Sequence, residues 1–211
     1  MTTILNRRSA LQLGIGAAGA MALGLPALAA EENPMPAELR KSLEHSPLTP
    51  VLGNPKGDIT LTEFFDYNCP FCRKSVPDIH RLITEDKNLR VVFWEWAVFG
   101  EGSVIATQIS LASLKQGKYW QFHSTLMGIS GKANEKTAME AARKVGLDEA
   151  RLRKDMESAE VVDHMDQAMA LAEHMGLVGT PTFIAGNEGL FGKQSYKDLT
   201  GLLGRARKTL A

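Results

Sequence analysis

The sequence predicts an α/β fold in which a β-α-β unit and a later β-β-α unit are separated by a block of helices. Three observations predict it. Two apolar runs rich in β-branched and aromatic residues, 59–67 and 91–98, flank a segment with helical spacing. From 103 to 175 the pattern is helical throughout. Past 176, two short apolar runs enclose a Gly/Asn turn, and an amphipathic segment closes the chain.

Taken in order, residues 31–48 read as a short helix or a loose arm. Residues 49–52 read as a brief edge strand, stopped by the turn cluster Gly53-Asn54-Pro55-Lys56-Gly57. Residues 59–67 form a buried strand. A helix starts at Pro70, because a proline at the first helical position has no N–H to leave unsatisfied. Val76, Ile79, Leu82 and Ile83 continue it beyond Pro77, which is expected to kink the helix without ending it. Residues 91–98, nearly all apolar, suit a central parallel strand covered on both faces. In the helical block, Ile105, Ile109 and Ala112 recur at helical spacing, as do Trp120, His123 and Met127. Asn134 and Asp148 are placed as N-caps. A long helix is expected over about 160–175. Residues 182–185 and 190–191 form a hairpin around Gly186-Asn187-Glu188-Gly189, and Ser195 caps the last helix.

The chain has 211 residues, 44% hydrophobic, with a formal net charge of +0. That balance gives no basis for a nucleic-acid or membrane-surface partner. Residues 1–29 read as a cleaved export signal: Arg7 and Arg8, an uncharged apolar core, Pro26, then Ala27-Leu28-Ala29 as cleavage site. The core is too short and glycine-rich for an anchor, so no stable membrane insertion is expected after cleavage. Asn6-Arg7-Arg8-Ser9-Ala10-Leu11 resembles a twin-arginine signal, although Ala10 stands where a bulky residue is usual. A general secretory signal is the other route, and either places the protein in the periplasm. Gly14-x-Gly16-x-x-Gly19 matches a dinucleotide fingerprint inside this signal, with no strand before it, and is discounted.

Cys69 and Cys72 are the only cysteines. Exported proteins use cysteines mostly as staples, but a loop this small removes little chain entropy when closed. A redox role explains the Cys69-Pro70-Phe71-Cys72 spacing better. Cys69 lies just before the first helical turn, where free N–H groups and the positive helix end favour a thiolate. Cys72 lies one turn further in, so the two sulfurs are unequal. Phe71 offers a thiolate neither charge nor hydrogen bond. Arg73 and Lys74 carry charge that can partly compensate through space, but both read as solvated.

The segment Glu63-Phe64-Phe65-Asp66-Tyr67-Asn68-Cys69-Pro70-Phe71-Cys72, followed about 110 residues later by Gly179-Thr180-Pro181-Thr182-Phe183, resembles the thioredoxin-fold superfamily. Within it, the chain is similar to the DsbA-like periplasmic thiol-disulfide oxidoreductases, whose inserted helical domain matches the block between the motifs. The resemblance implies a thioredoxin-like core over 49–100 and 176–211, a helical subdomain over 101–175 and an N-terminal arm or short helix over 30–48. It implies that Cys69 and Cys72 form the redox-active disulfide, with Cys69 the exposed nucleophile and Cys72 its buried partner. Pro181 would be a cis-proline facing the pair, with Thr180 beside the sulfurs and Glu63 the carboxylate beneath them. Thr180, Pro181, Pro70 and Phe71 would meet substrate. Compared with relatives carrying Cys-Pro-His-Cys, Phe71 implies a weaker oxidant, and Thr180 leans toward isomerase-like members. No cofactor is expected. The partners implied are exported proteins with thiols or disulfides, and a membrane redox partner that resets the pair.

Other features weigh less. Glu95 is a weaker candidate for the work given to Glu63. Met165, Met169 and Met175 lie on one predicted helix, and their spacing suits core packing better than a peptide groove. The five histidines show no ligand spacing, so no metal site is expected. The alternative to an enzyme is a protein holding Cu(I) between Cys69 and Cys72.

Overall fold

The computed structural model describes residues 34–210. The expected export signal, its arginine pair and the glycine pattern at 14–19 lie outside them. A first helix, α1 (Ala37–His45), settles the choice between helix and arm: it is a helix, with Leu43 fully buried. Next come β1 (Val51–Gly53), β2 (Ile59–Phe65), α2 (Pro70–Glu85) and β3 (Leu89–Glu95). Five helices follow: α3 (Glu101–Leu114), α4 (Tyr119–Met127), α5 (Glu135–Lys144), α6 (Glu149–Asp155) and α7 (Ala159–His174). The chain ends as β4 (Thr182–Ala185), β5 (Glu188–Phe191) and α8 (Tyr196–Leu210). This is a thioredoxin-like α/β fold with a helical insertion.

The five strands lie in the order β1-β3-β2-β4-β5. β2 and β3 run parallel, joined by α2, and the other pairs are antiparallel. Every residue of β2 and β3 is buried, as strands covered on both faces require. Alternation divides the core in two. Leu61, Phe65, Val91, Phe93 and Phe183 meet α2, α8 and the insertion, while Phe64, Val92, Trp94 and Ile184 meet α1 and α7.

Local chemistry sets the boundaries. Pro70 opens α2 and the helix continues through Pro77. Asn134 and Asp148 cap α5 and α6 by accepting from the amides of Thr137 and Arg151. Ser195 and Asp198 exchange bonds at the start of α8, each side chain accepting from the other's amide. The last hairpin is tighter than the sequence suggests, because Ala185 pairs with Glu188 and leaves only Gly186 and Asn187 in the turn. β3 ends earlier than predicted, for a reason that belongs to the site.

Candidate active site

Cys69 is the N-cap of α2, in extended backbone geometry. Pro70, Phe71 and Cys72 make the first turn, so the amides of Phe71 and Cys72 aim back at the Cys69 sulfur. Both cysteines are free thiols, and Cys69 is not the exposed member the resemblance implies: both are almost wholly enclosed by neighbouring atoms, since the Thr180 loop lies against Cys69. The Thr180–Pro181 peptide is cis, the isomer the resemblance implies. Cys69 Sγ donates to the Thr180 carbonyl at 3.2 Å. The Thr180 hydroxyl is buried without a partner, and is therefore available to a thiolate.

The two sulfurs differ strongly in acidity. The Cys69 thiol is pulled down to about 6, first by a hydrogen bond from the Cys72 thiol. Burial opposes this, while Thr180 and the amides of Cys72 and Phe71 add to it. Cys72 is pushed far above the ordinary thiol range by burial first, then by Cys69 and Glu63. Because the Cys69 value is depressed in the fold, the thiolate stabilises the reduced protein fully above the ordinary thiol range. That contribution is lost as pH falls through about 6.

Glu63 lies beneath this pair. It shares a face of β2 with Leu61 and Phe65, and only 4% of its surface is exposed. Burial, then the Cys69 charge, raises it to about 8. Lys193, whose Nζ pairs with Asp78 of α2 at 2.5 Å, pulls the other way. Glu95 sits apart, under the insertion. Its Oε1 accepts from Ser110 at 2.8 Å, in a buried group with Tyr67 and His123. Glu95 too is raised to about 8 by burial, but neither cysteine is among the charges acting on it. The structure therefore brings Cys69, Cys72, Thr180, Pro181 and Glu63 together and leaves Glu95 outside.

Asp66, Asn68 and Arg73 hold the loop before Cys69. Asp66 is buried and accepts four bonds: from the Asn68 amide and the Ser103 hydroxyl on Oδ1, and from the Val98 and Phe99 amides on Oδ2. By taking those two amides it ends β3 at Glu95. Asn68 reaches the insertion, donating to Ser103 Oγ and the Ala133 carbonyl and accepting from the Ala133 amide. Arg73 was expected to be solvated. It is instead half-buried, with Nε on the Tyr67 carbonyl at 2.8 Å and Nη1 on the Gly131 carbonyl at 2.6 Å. Asp66 did carry a sequence signal, since an Asx residue two before an amide it can accept from forms an Asx-turn.

Apolar side chains face solvent nearby: Phe71 (53% exposed), Phe99 (54%), Val178 (78%) and Phe191 (57%). A Cβ on Gly179 would meet the Phe191 ring at 3.1 Å, so any larger residue would push that ring a few tenths of an ångström off the loop bearing Pro181. Met169 is exposed rather than core, with its sulfur accepting from Trp96 Nε1; Met165 and Met175 are half-buried. His123 and His164 are core residues held neutral by burial, at about 3 and about 4.

Comparison with known proteins places this geometry. A thioredoxin-like oxidoreductase from Silicibacter pomeroyi DSS-3 is 48% identical, with a TM-score of 0.78 over 80% of this chain and 98% of that one. A periplasmic thioredoxin-like protein from Salmonella enterica serovar Typhimurium, 23% identical, shares the fold with a TM-score of 0.75 over 82% of this chain and 98% of its own. Among curated proteins, the Na(+)/H(+) antiporter NhaA 1 of Salinispora arenicola is 24% identical over 153 residues, 71% of this chain. This chain spans about a quarter of the length of such relatives (23% in that case). The model of the DSBA-like thioredoxin domain matches residues 60–204, from β2 and the cysteine pair through the insertion and Pro181 into α8. With so much of the chain inside that match, this protein belongs to the DSBA-like thioredoxin domain family.

Proposed function

We propose that this protein is a thiol-disulfide oxidoreductase that exchanges disulfides with exported proteins through Cys69 and Cys72. The observation that carries this reading is the placement of the pair: Cys69 at the N-cap of α2 against the Thr180 carbonyl before cis Pro181, and Cys72 one turn into the helix. A substrate thiolate attacks Cys69 Sγ of the oxidised pair. The Cys69–Cys72 bond breaks, Cys72 leaves and takes a proton, and a mixed disulfide remains. A second substrate thiolate then attacks the substrate sulfur, closing a substrate disulfide and releasing Cys69 as a thiolate. Two electrons pass to the protein, and a membrane redox partner removes them. With reduced Cys69 attacking a wrong disulfide, the same groups isomerise.

Glu63 is the proposed proton donor to departing Cys72, since at about 8 it is still protonated at neutral pH and its charge acts on that thiol. Glu63→Gln is expected to slow disulfide reduction by about tenfold or more in stopped-flow fluorescence and to flatten its pH profile between 6 and 9. An unchanged rate would remove Glu63 from the mechanism. Thr180, Pro181, Pro70 and Phe71 border the sulfur and are the proposed substrate contacts. The exposed rings of Phe71, Phe99 and Phe191 suit apolar segments of unfolded chains.

Location in the periplasm is supported by the similar periplasmic protein of Salmonella and by the signal pattern. Among the described residues no helix is long and apolar enough to cross a membrane. A Cu(I) carrier is disfavoured because it needs both sulfurs ionised, and burial opposes that at Cys72. The test is paired: oxidation of a reduced, unfolded protein with cysteine pairs, beside refolding of a scrambled one. Faster oxidation marks an oxidase, faster unscrambling an isomerase, and catalysis of neither ends the proposal.

A further inference from the structure

We infer that Arg73 is a positioning residue for the reactive thiol: held against the loop by the helical insertion, its guanidinium is the fixed positive charge that the Cys69 thiolate leans on. This rests on the proposed thiol chemistry and deepens it.

The placement comes from geometry. Arg73 follows Cys72 directly, so its backbone is in the first turn and a half of α2. Its side chain turns back instead of outward. Nε donates to the carbonyl of Tyr67, two residues before Cys69. Nη1 donates to the carbonyls of Ile129 and Gly131, at 3.3 Å and 2.6 Å. These carbonyls engage Nε and Nη1 without neutralising the charge, and Nη2 is buried with no partner of its own. An arginine that pays its side-chain entropy to be held half-buried acts through less water than a surface lysine. Lys74 shows the contrast, since it is exposed with its Nζ 5.8 Å from the Phe71 ring centre.

The remaining charges around Cys69 are few. Asp66 faces Arg73 from the loop, but both its carboxylate oxygens are engaged by four donors. Glu63 faces from β2 and opposes a thiolate when ionised. Cys72 is held protonated and donates. Lys193 faces Glu63 and is paired with Asp78. With phenylalanine at 71, Arg73 is the cation on α2 that hydrogen bonds hold in place, and its charge couples to that of Cys69. Its action is through space and smaller than that of the direct hydrogen bonds. Since Ile129 and Gly131 belong to the α4–α5 connection, the inserted helices take part in setting the thiol's acidity.

The test titrates the thiolate absorbance of the reduced protein, whose Cys69 midpoint is expected near 6. Arg73→Gln is expected to raise that midpoint by about half a unit to one unit. Arg73→Lys, which keeps the charge but cannot bridge the same carbonyls, is expected to recover most of the shift. An unmoved midpoint in Arg73→Gln overturns the assignment. So does a shift in Arg73→Lys as large as in Arg73→Gln, which marks mere scaffolding. Should Arg73→Gln not fold, Arg73→Met fills the slot without charge and is read the same way. Exchange of the unaltered protein with glutathione is followed in parallel. Its absence would end the proposed function while leaving the thiolate midpoints to judge Arg73 alone.

Discussion

Cys69→Ser is expected to lose disulfide exchange by about three orders of magnitude or more, because a serine hydroxyl does not ionise near neutral pH and forms no disulfide. Cys72→Ser gives the opposite phenotype. Cys69 keeps its place at the N-cap of α2, and a serine hydroxyl at 72 still offers a hydrogen bond to the thiolate. Attack on a substrate disulfide proceeds, but nothing within the protein resolves the mixed disulfide. Adducts with exported proteins should accumulate, visible on non-reducing gels and released by reductant. Cys72→Ala separates two effects of this residue. Without any donor at 72, the largest cause of the low Cys69 value is gone, so the thiolate midpoint rises and adducts form more slowly than with serine. Adducts formed equally by Cys69→Ser would place the reactive sulfur elsewhere and sink the assignment.

Asp66→Ala is expected to cost about 3–5 kcal/mol of stability. Alanine leaves four donors facing a void: the amides of Asn68, Val98 and Phe99 and the hydroxyl of Ser103. Asp66→Asn fills the space but turns N–H groups onto donors on one side, and should cost about 2 kcal/mol. Denaturant unfolding with an unchanged m-value reads both. Because Asp66 joins the loop before Cys69 to the start of α3, reactivity of Cys69 toward iodoacetamide should fall in folded Asp66→Asn. A cost below about 1 kcal/mol for alanine would show that water replaces the carboxylate, and that the loop is held by Asn68 and Arg73 instead.

The fold was legible where one kind of pattern decided it. The apolar runs of β2 and β3, proline at 70 and the caps at 134 and 148 each point to a single local structure, and the structure has it. The cysteine pair, with Gly179-Thr180-Pro181 beyond it, was equally plain. What could not be read was side-chain direction across distance. An arginine on a helix flanked by polar residues reads as solvated, and nothing in sequence says that carbonyls 56 and 58 residues away will claim it. Glu63 and Glu95 stand in near-identical settings, each a carboxylate in an apolar strand. Only their offset along the paired strands, Glu63 opposite Phe93 and Glu95 opposite Phe65, puts one beneath the sulfurs and the other beneath α3. The edges of β3 and of the last hairpin were missed for a related reason. Asp66 decides where β3 stops, and the pairing of Ala185 with Glu188 decides how small the turn is.

The wall facing the sulfur is supplied very late in the chain. Thr180 lies 111 residues after Cys69. A ribosome adding roughly 5–20 residues per second takes about 5–20 s to cover that distance. Throughout this interval Cys69 lacks the loop around Pro181, and for roughly the first half of it also the connection that restrains Arg73, so part of what makes its thiol acidic is still missing. A half-made chain is therefore a poorer reagent toward its neighbours, and its chemistry reaches full strength only with completion of the fold.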